Sequence, residues 1–401
     1  MSSLRTISPA VRTEEITYAV RDVVVLAEKA AKRGLEMLYL NIGDPNVFDF
    51  YTPPHIIEAV HKAMMDNKNG YSASSGIKEG LAAVEKEAER KGIKNIRDIF
   101  ITTGVSEAID LCLTALVNEG ENVLTPSPGY PLYQAILKKL NVIENPYYLD
   151  ESNDWQPNVE EMASKVNSKT RAIILINPNN PTGSVYSNEI LQKVIDLAAK
   201  HNLVIFADEI YDKLILDGGH HVALASMNSE VPIITLNGLS KSFLVPGFRI
   251  GWGIISGEET RIKTYVEAIN KLLRARLCAN HPMQYAIKPA LEGDQSHLID
   301  VKARLTKRRD ITFQMLNSTP EISLAKPNGA FYAFPSLHIK KSDDEFVRAL
   351  IEETGVVVVA GSGFGQVPGT KHFRVVFLPD ENKLKKAYEK ILDFAAKFDK
   401  R

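Results

Sequence analysis

Asn-Gly-Leu-Ser-Lys-Ser-Phe-Leu-Val-Pro-Gly-Phe-Arg-Ile-Gly-Trp, residues 237–252, is the stretch on which the reading of this chain turns. Lys241 sits among small and hydroxyl residues, with Arg249 eight positions further on. A lysine in such a setting can hold the carbonyl carbon of an aldehyde as a Schiff base, provided its surroundings let it shed a proton. An arginine nearby can grip a phosphate on the same molecule. A solvated loop lysine would share the short Ser-Lys signature, so the stretch gains its meaning from what lies around it.

Working outward, residues 98–275 alternate short apolar runs with helical stretches. Runs at 98–102, 122–125, 171–176, 203–207, 233–236 and 249–255 read as strands, and 106–117, 130–140 and 188–201 as helices. Nearly continuous Val, Ile, Leu and Phe, rather than alternation, fits strands covered by helices on both faces. This predicts an α/β class built on a largely parallel sheet. Such sheets bind ligands beyond the carboxyl ends of their strands. Polar clusters do follow the strands, at 103–106, 177–183, 208–212 and 238–241.

The last hundred residues read differently. A long charged helix at 298–316 precedes short strands at 322–326 and 330–334, a helix at 343–354, strands at 356–360 and 373–377, and a final amphipathic helix. The expected division is an N-terminal arm with part of a small unit at 1–47, a large ligand-binding domain at 48–292, and a small α+β domain at 293–401 on which the first forty or so residues pack. No internal repeat or low-complexity segment is visible.

Bulk properties bound the function. Lys plus Arg total 48 against 49 Asp plus Glu, so the chain offers no pull toward nucleic acid or anionic membrane. With 44% hydrophobic and 24% charged residues it has the composition of an ordinary globular protein. No apolar run approaches the length of a membrane span, and the start lacks a signal-peptide core. The two cysteines, Cys112 and Cys278, read as buried free thiols of a reducing compartment. The expectation is a cytoplasmic protein that handles small molecules.

Two further motifs carry chemistry. Asn177-Pro178-Asn179-Asn180-Pro181-Thr182-Gly183 leaves the sheet with amide side chains able to face a ligand, although the same residues also build tight turns. Asp208, in Ala207-Asp208-Glu209-Ile210-Tyr211-Asp212, emerges from an apolar strand. An isolated carboxylate there is costly and tends to protonate unless a cation faces it; a helix N-cap is the plainer use for such a residue.

Asn180, Asp208, Tyr211, Lys241 and Arg249, in that order and each after a strand, resemble the class I/II aminotransferases, pyridoxal-phosphate enzymes of fold type I. The resemblance extends over Asn41-Ile42-Gly43-Asp44-Pro45, Gly70-Tyr71-Ser72, Pro126-Ser127-Pro128-Gly129-Tyr130, Gly329-Ala330-Phe331-Tyr332 and His372-Phe373-Arg374-Val375. It implies a large domain with a mostly parallel sheet between helices, and a smaller domain formed by both ends of the chain.

For the residues, the resemblance implies pyridoxal 5′-phosphate on Lys241, the lysine that also moves the proton during transfer. Asp208 keeps the pyridine nitrogen protonated. Tyr211 and Asn180 donate to the ring oxygen. Val105, Ser106, Ser240 and Arg249 hold the phosphate at a helix start, and Tyr130 stacks on the ring. Tyr71 reaches the phosphate of a neighbouring subunit, which implies a homodimer with shared sites. Arg374, with Gly43 and Asn180, takes the substrate α-carboxylate. Gly238 departs from the pattern, because many relatives carry a serine there.

Residues 40–45, 154–157, 210–213 and 276–280 look like those of prokaryotic alanine aminotransferases, which exchange an amino group between alanine and 2-oxoglutarate. Tyr18 and Arg21 lie in a segment that caps the site in these relatives, and either Arg21 or Arg276 is a candidate for the distal carboxylate of glutamate. An aromatic or broad-specificity aminotransferase is the alternative, followed by a β-lyase acting on carbon–sulfur bonds. A cofactor-binding transcriptional regulator is disfavoured by the lack of basic excess. Gly361-Ser362-Gly363-Phe364-Gly365 reads as a flexible hinge or turn rather than a phosphate loop, and His220-His221 as an exposed loop rather than a metal site.

Overall fold

The computed structural model describes residues 7–14, 16 and 19–400; side chains are described from residue 23 within the first helix, Ala19–Lys32. An eight-stranded sheet dominates. Its strands are β1 (Ile96–Thr102), β2 (Asn122–Ser127), β3 (Ile143–Asp150), β4 (Gln156–Pro157), β5 (Thr170–Ile176), β6 (Val204–Asp208), β7 (Ile233–Gly238) and β8 (Gly251–Ser256). The spatial order is β1-β8-β7-β6-β5-β2-β3-β4. The run β7-β6-β5-β2-β3 is parallel throughout. β8 runs antiparallel to both of its neighbours, and β4 closes the other edge antiparallel to β3.

The continuous apolar runs follow from burial on both faces. Successive side chains of a strand point to opposite sides. Ile173 and Leu175 of β5 accordingly join one core, while Ala172, Ile174 and Ile176 join the other with Phe206 and Leu236. The second core is covered by the helices Val105–Leu116, Pro131–Lys139 and Glu259–Ala275. Helix limits follow local chemistry: Asn188–His201 starts where the Ser187 hydroxyl accepts from the Ile190 amide at 3.2 Å and stops at Asn202 in the left-handed region, φ 55°.

The C-terminal residues form a smaller α+β arrangement. Tyr332–Ala333, Phe373–Val376 and Val359–Ala360 make a three-stranded antiparallel sheet. Leu38–Tyr39 pairs in parallel with Val356–Val357, and the helix Ala19–Lys32 packs on Asp343–Thr354. The helix Ala19–Lys32 and the strand Leu38–Tyr39 thus lie against this unit. The long helix His297–Leu316 packs on the final helix Glu381–Phe398. Its buried Arg308 is matched by Asp49 at 2.6 Å and Glu381 at 3.1 Å, so a paired charge stands where a lone one would be prohibitive.

The turn expected at 361–365 is present, and two other sequence expectations need adjustment. The 361–365 glycine segment is a 3₁₀ turn, Gly361–Phe364, tied down where the Ser362 amide donates to Asp343 at 2.7 Å and Gly129 donates to the Phe364 carbonyl at 2.8 Å. His221 is half-buried, its Nε2 3.2 Å from the Asn177 carbonyl, and only His220 is exposed. Cys112 is buried as expected, whereas Cys278 is half-buried; both are free. Among the described residues, no helix is long and apolar enough to cross a membrane.

Candidate active site

The carboxyl ends of β2, β5, β6 and β7 converge on a cavity of about 240 Å³ that Lys241, Asp208, Tyr211, Tyr130, Arg249 and Arg374 help to line. Asp208 is the last residue of β6, and Lys241 lies three residues beyond the end of β7. A parallel sheet forces this convergence: each strand delivers its following loop to the same edge.

Lys241 and Asp208 are displaced in opposite directions. Loss of water pulls the Lys241 amine down to about 8; Arg374 and Arg249 push the same way, while Asp44 and Asp208 oppose. Nζ donates to the Gly43 carbonyl at 2.9 Å and lies 5.6 Å from the Phe331 ring centre. Burial lifts the Asp208 carboxyl to about 6 against the pull of the Tyr133 hydroxyl and the Ile210 amide. These two donors sit at 3.0 Å on Oδ2 and 3.3 Å on Oδ1. The base is thus half-prepared to lose its proton, and among the described residues no cation is bonded to the acid.

One wall is a cradle for an anion. Helix Val105–Leu116 begins after Gly104, whose φ is 76°. A Cβ on Gly104 would collide with the Arg249 guanidinium, so only glycine lets that arginine lie across the helix start. Arg249 Nη2 donates to the Ser106 hydroxyl at 3.2 Å and Nη1 to the Pro246 carbonyl at 2.9 Å. Backbone N–H groups at a helix start, a hydroxyl and a guanidinium are the donor set a phosphate needs. Gly238 also has a steric reason, since a Cβ there would stand 2.7 Å from the Ile250 carbonyl.

The opposite corner is built from the C-terminal sheet. Arg374, on Phe373–Val376, is buried and donates to Asn180 Oδ1 at 3.2 Å and to the Asn41 carbonyl at 2.8 Å. Only the amide oxygen can accept from arginine, which leaves the Asn180 NH₂ for the cavity. The guanidinium carbon lies 4.9 and 4.6 Å from the ring centres of Tyr332 and Phe364. Tyr332 in turn shares a 3.0 Å hydrogen bond with Tyr211, and its hydroxyl occupies the space a side chain at Gly43 would need.

Of the residues expected from sequence, Gly43, Val105, Ser106, Tyr130, Asn180, Asp208, Tyr211, Ser240, Lys241, Arg249 and Arg374 all line this cavity. Tyr71 does not; it is 80% exposed. Arg276 is also outside, its guanidinium donating to the carbonyls of Ser74 and Ile101 and paired with Glu107 at 3.2 Å. Tyr18 and the Arg21 side chain lie outside the described residues. Sequence reasoning missed Tyr133 and assigned no role to Tyr332. The spacing of Tyr133, three residues after Tyr130 at a helix start, was the available signal for the first.

Pyridoxal 5′-phosphate fits these features. A buried carboxylate to which no described cation is bonded suits a protonated pyridine, the Gly104 cradle suits the phosphate, and an amine displaced toward neutrality suits the aldehyde. Comparison with known proteins agrees. A family model described as aminotransferase class I and II matches residues 36–391. A glutamate-pyruvate aminotransferase of Haemophilus influenzae is 39% identical over 96% of this chain and 98% of its own. An alanine aminotransferase of Mycobacterium bovis is 38% identical over 98% and 94%. The solved alanine aminotransferase of Pyrococcus furiosus superposes with a TM-score of 0.94 at 37% identity, over 97% of this chain and all of that one. A lysine poised to lose its proton and a carboxylate short of a cation, on a scaffold shared at that length, place the chain in the class I and II aminotransferase family, whose cofactor is pyridoxal phosphate.

Proposed function

We propose that the protein transfers the amino group of L-alanine to 2-oxoglutarate, giving pyruvate and L-glutamate, in two half-reactions that share one site. The glutamate-pyruvate and alanine aminotransferase names of relatives at 37–39% identity support this substrate pair. The opposed displacement of Lys241 and Asp208 within one cavity is the observation that carries the chemistry. Bound pyridoxal phosphate supplies an aldehyde for the incoming amine and a cationic ring that draws electrons from the substrate α-carbon.

The chain's residues do the rest. Lys241 Nζ would hold the cofactor aldehyde at rest and, as a free neutral amine, would take the proton from the substrate α-carbon and hand it back. An amine near pH 8 is neutral often enough to act as that base. Asp208 would hold its negative charge toward the pyridine nitrogen. Arg374, with the Asn180 amide, grips the α-carboxylate and fixes the α-hydrogen against the lysine. Ser106, Ser240 and Arg249, with the Val105 and Ser106 amides, would hold the phosphate. Tyr211 and Asn180, which line the cavity, would donate to the ring oxygen, and Tyr130 would cover the ring.

The exposed Tyr71 supports a homodimer in which it reaches the phosphate held by a second copy. The two free thiols support a cytoplasmic location. Tyr18 narrows the space beside the alanine methyl group, and Arg21 or Arg276 takes the distal carboxylate of glutamate.

A half-reaction screen tests the assignment. Loaded enzyme is mixed with single amino acids, and loss of the absorbance of the lysine-bound cofactor is followed. Alanine and glutamate should react fast, and tyrosine, leucine and aspartate slowly; the reverse order would favour an aromatic or broad-specificity enzyme. The same screen on Arg21→Met and Arg276→Met should slow glutamate far more than alanine in one of them. Equal slowing of both donors would remove both arginines from that role.

A further inference from the structure

Behind the cavity lies a tyrosine that is not among its lining residues. Tyr133 sits in the first turn of the helix Pro131–Lys139 and is 2% exposed. Its hydroxyl donates to Asp208 Oδ2 at 3.0 Å, while the Ile210 amide donates to Oδ1. Burial and the neighbouring carboxylate hold the Tyr133 hydroxyl well above the ordinary tyrosine range, so it remains a donor at any physiological pH. Each carboxylate oxygen thus has one fixed donor inside the protein. The remaining lone pairs are free for a group arriving from the cavity.

A buried carboxylate facing a pyridine raises a specific question. The pair holds one proton, and that proton can rest on the ring nitrogen, giving two charges, or on the carboxyl oxygen, giving none. Burial favours the neutral arrangement, because a dry environment penalises both charges. An electron-drawing ring requires the charged one. Hydrogen bonds donated to the carboxylate shift the balance, since they stabilise its anionic form.

We propose that Tyr133 is a positioning residue whose hydroxyl keeps the Asp208 carboxylate aimed at the cavity and anionic, so that the proton shared with the cofactor stays on the ring nitrogen. This rests on the aminotransferase reading of the same site and adds to it the group that sets the state of the ring. The Ile210 amide alone, at a longer 3.3 Å, is the weaker of the two donors. The other charged and titratable groups around Asp208 do not replace the hydroxyl. Glu209 raises its proton affinity, Lys241 lowers it, and Tyr211, bonded to Tyr332, gives Asp208 no hydrogen bond.

The test compares wild type, Tyr133→Phe and Tyr133→His, each loaded with pyridoxal phosphate labelled with ¹⁵N in the ring. Neutral pyridine and pyridinium nitrogens differ widely in NMR chemical shift. Wild type should give a pyridinium signal. Tyr133→Phe should move the signal toward neutral pyridine and slow the alanine half-reaction about tenfold with little change in alanine KM, as expected for roughly one pH unit of proton affinity. Tyr133→His, which keeps a donor, should restore much of both. An unmoved nitrogen signal in Tyr133→Phe overturns the proposal. A neutral nitrogen in wild type would instead overturn the assignment of Asp208, and with it the reading beneath. If Tyr133→Phe loads poorly, the Asp208 carboxyl can be titrated by infrared spectroscopy without cofactor. It should then take up its proton at higher pH than in wild type, and an identical titration also overturns the proposal.

Discussion

Two buried carboxylates, four residues apart, stand in opposite conditions. Asp208 faces the cavity with, among the described residues, no cation bonded to it, and is lifted to about 6 by burial. Asp212 faces the other way, is bonded to Lys91 and also drawn by Lys213, and is held down to about 2. The Lys91 amine is itself raised by Asp212, Glu209 and Glu87. Both aspartates are as inaccessible as core residues, at 3% and 6% exposed, so burial alone does not separate them. The difference is whether the protein supplies the counter-charge itself. Asp212 is complete and belongs to the scaffold; Asp208 is incomplete until a ligand brings a cation.

The largest expected effects break this contrast from both sides. Asp208→Asn should lower kcat for the alanine–glutamate exchange by roughly a thousandfold, the scale of losing one group that stabilises developing charge, while the protein stays folded. Asp212→Asn should do the reverse. It leaves Lys91 buried without its main partner and should cost about 3 kcal/mol of stability in urea unfolding, with kcat of the folded fraction nearly unchanged. Equal catalytic losses in the two variants would erase the distinction.

A subtler test uses pH. In cofactor-free protein the Asp208 carboxyl lies above its ordinary 3.8. Between that value and about 6 the folded state therefore holds a proton that the unfolded chain has released. Stability should fall as pH rises through this window, and the penalty should be fully present above it. Asp212 has the opposite sign: its contribution is present above about 4 and is lost as pH falls toward 2. Urea midpoints of cofactor-free wild type and Asp208→Asn at pH 4.5 and 7.5 should show the variant gaining on wild type at the higher pH. Parallel behaviour would mean Asp208 is not strained by burial.

The smallest effect sharpens the comparison at the phosphate wall. Gly238→Ser restores the hydroxyl many relatives carry, but its Cβ must displace the Ile250 carbonyl or push β7 from β8. It should cost about 1–2 kcal/mol of thermal stability without tightening cofactor binding. Tighter binding at unchanged stability would show that this wall can accept the extra donor.

Much of this was legible in the sequence wherever the signal is local. The strands β5, β6 and β7 announce themselves as unbroken apolar runs because both of their faces are covered. The helices Asn188–His201 and Asp343–Thr354 begin and end as read, since Ser187 and Ser342 cap them and Asn202 and Gly355 stop them. The strand β3 and the edge strand β4 beside it escaped, because Ile-Glu-Asn-Pro-Tyr-Tyr-Leu-Asp has neither alternation nor a continuous apolar run. In the site, residues on turns directly after strands were found. Tyr133 was not, because a tyrosine on a buried helix face looks like any core aromatic until its hydroxyl is seen to meet Asp208. The tie from Arg374 to the Asn41 carbonyl was equally invisible, since nothing local marks a backbone oxygen as a partner.

That tie joins positions 333 residues apart. On the ribosome, where synthesis runs at about 5–20 residues per second, the lysine, the aspartate and the phosphate cradle can assemble early, while the guanidinium that orients the amino acid is still unmade. The residues that would hold the coenzyme are thus all made well before the arginine that would grip its substrate.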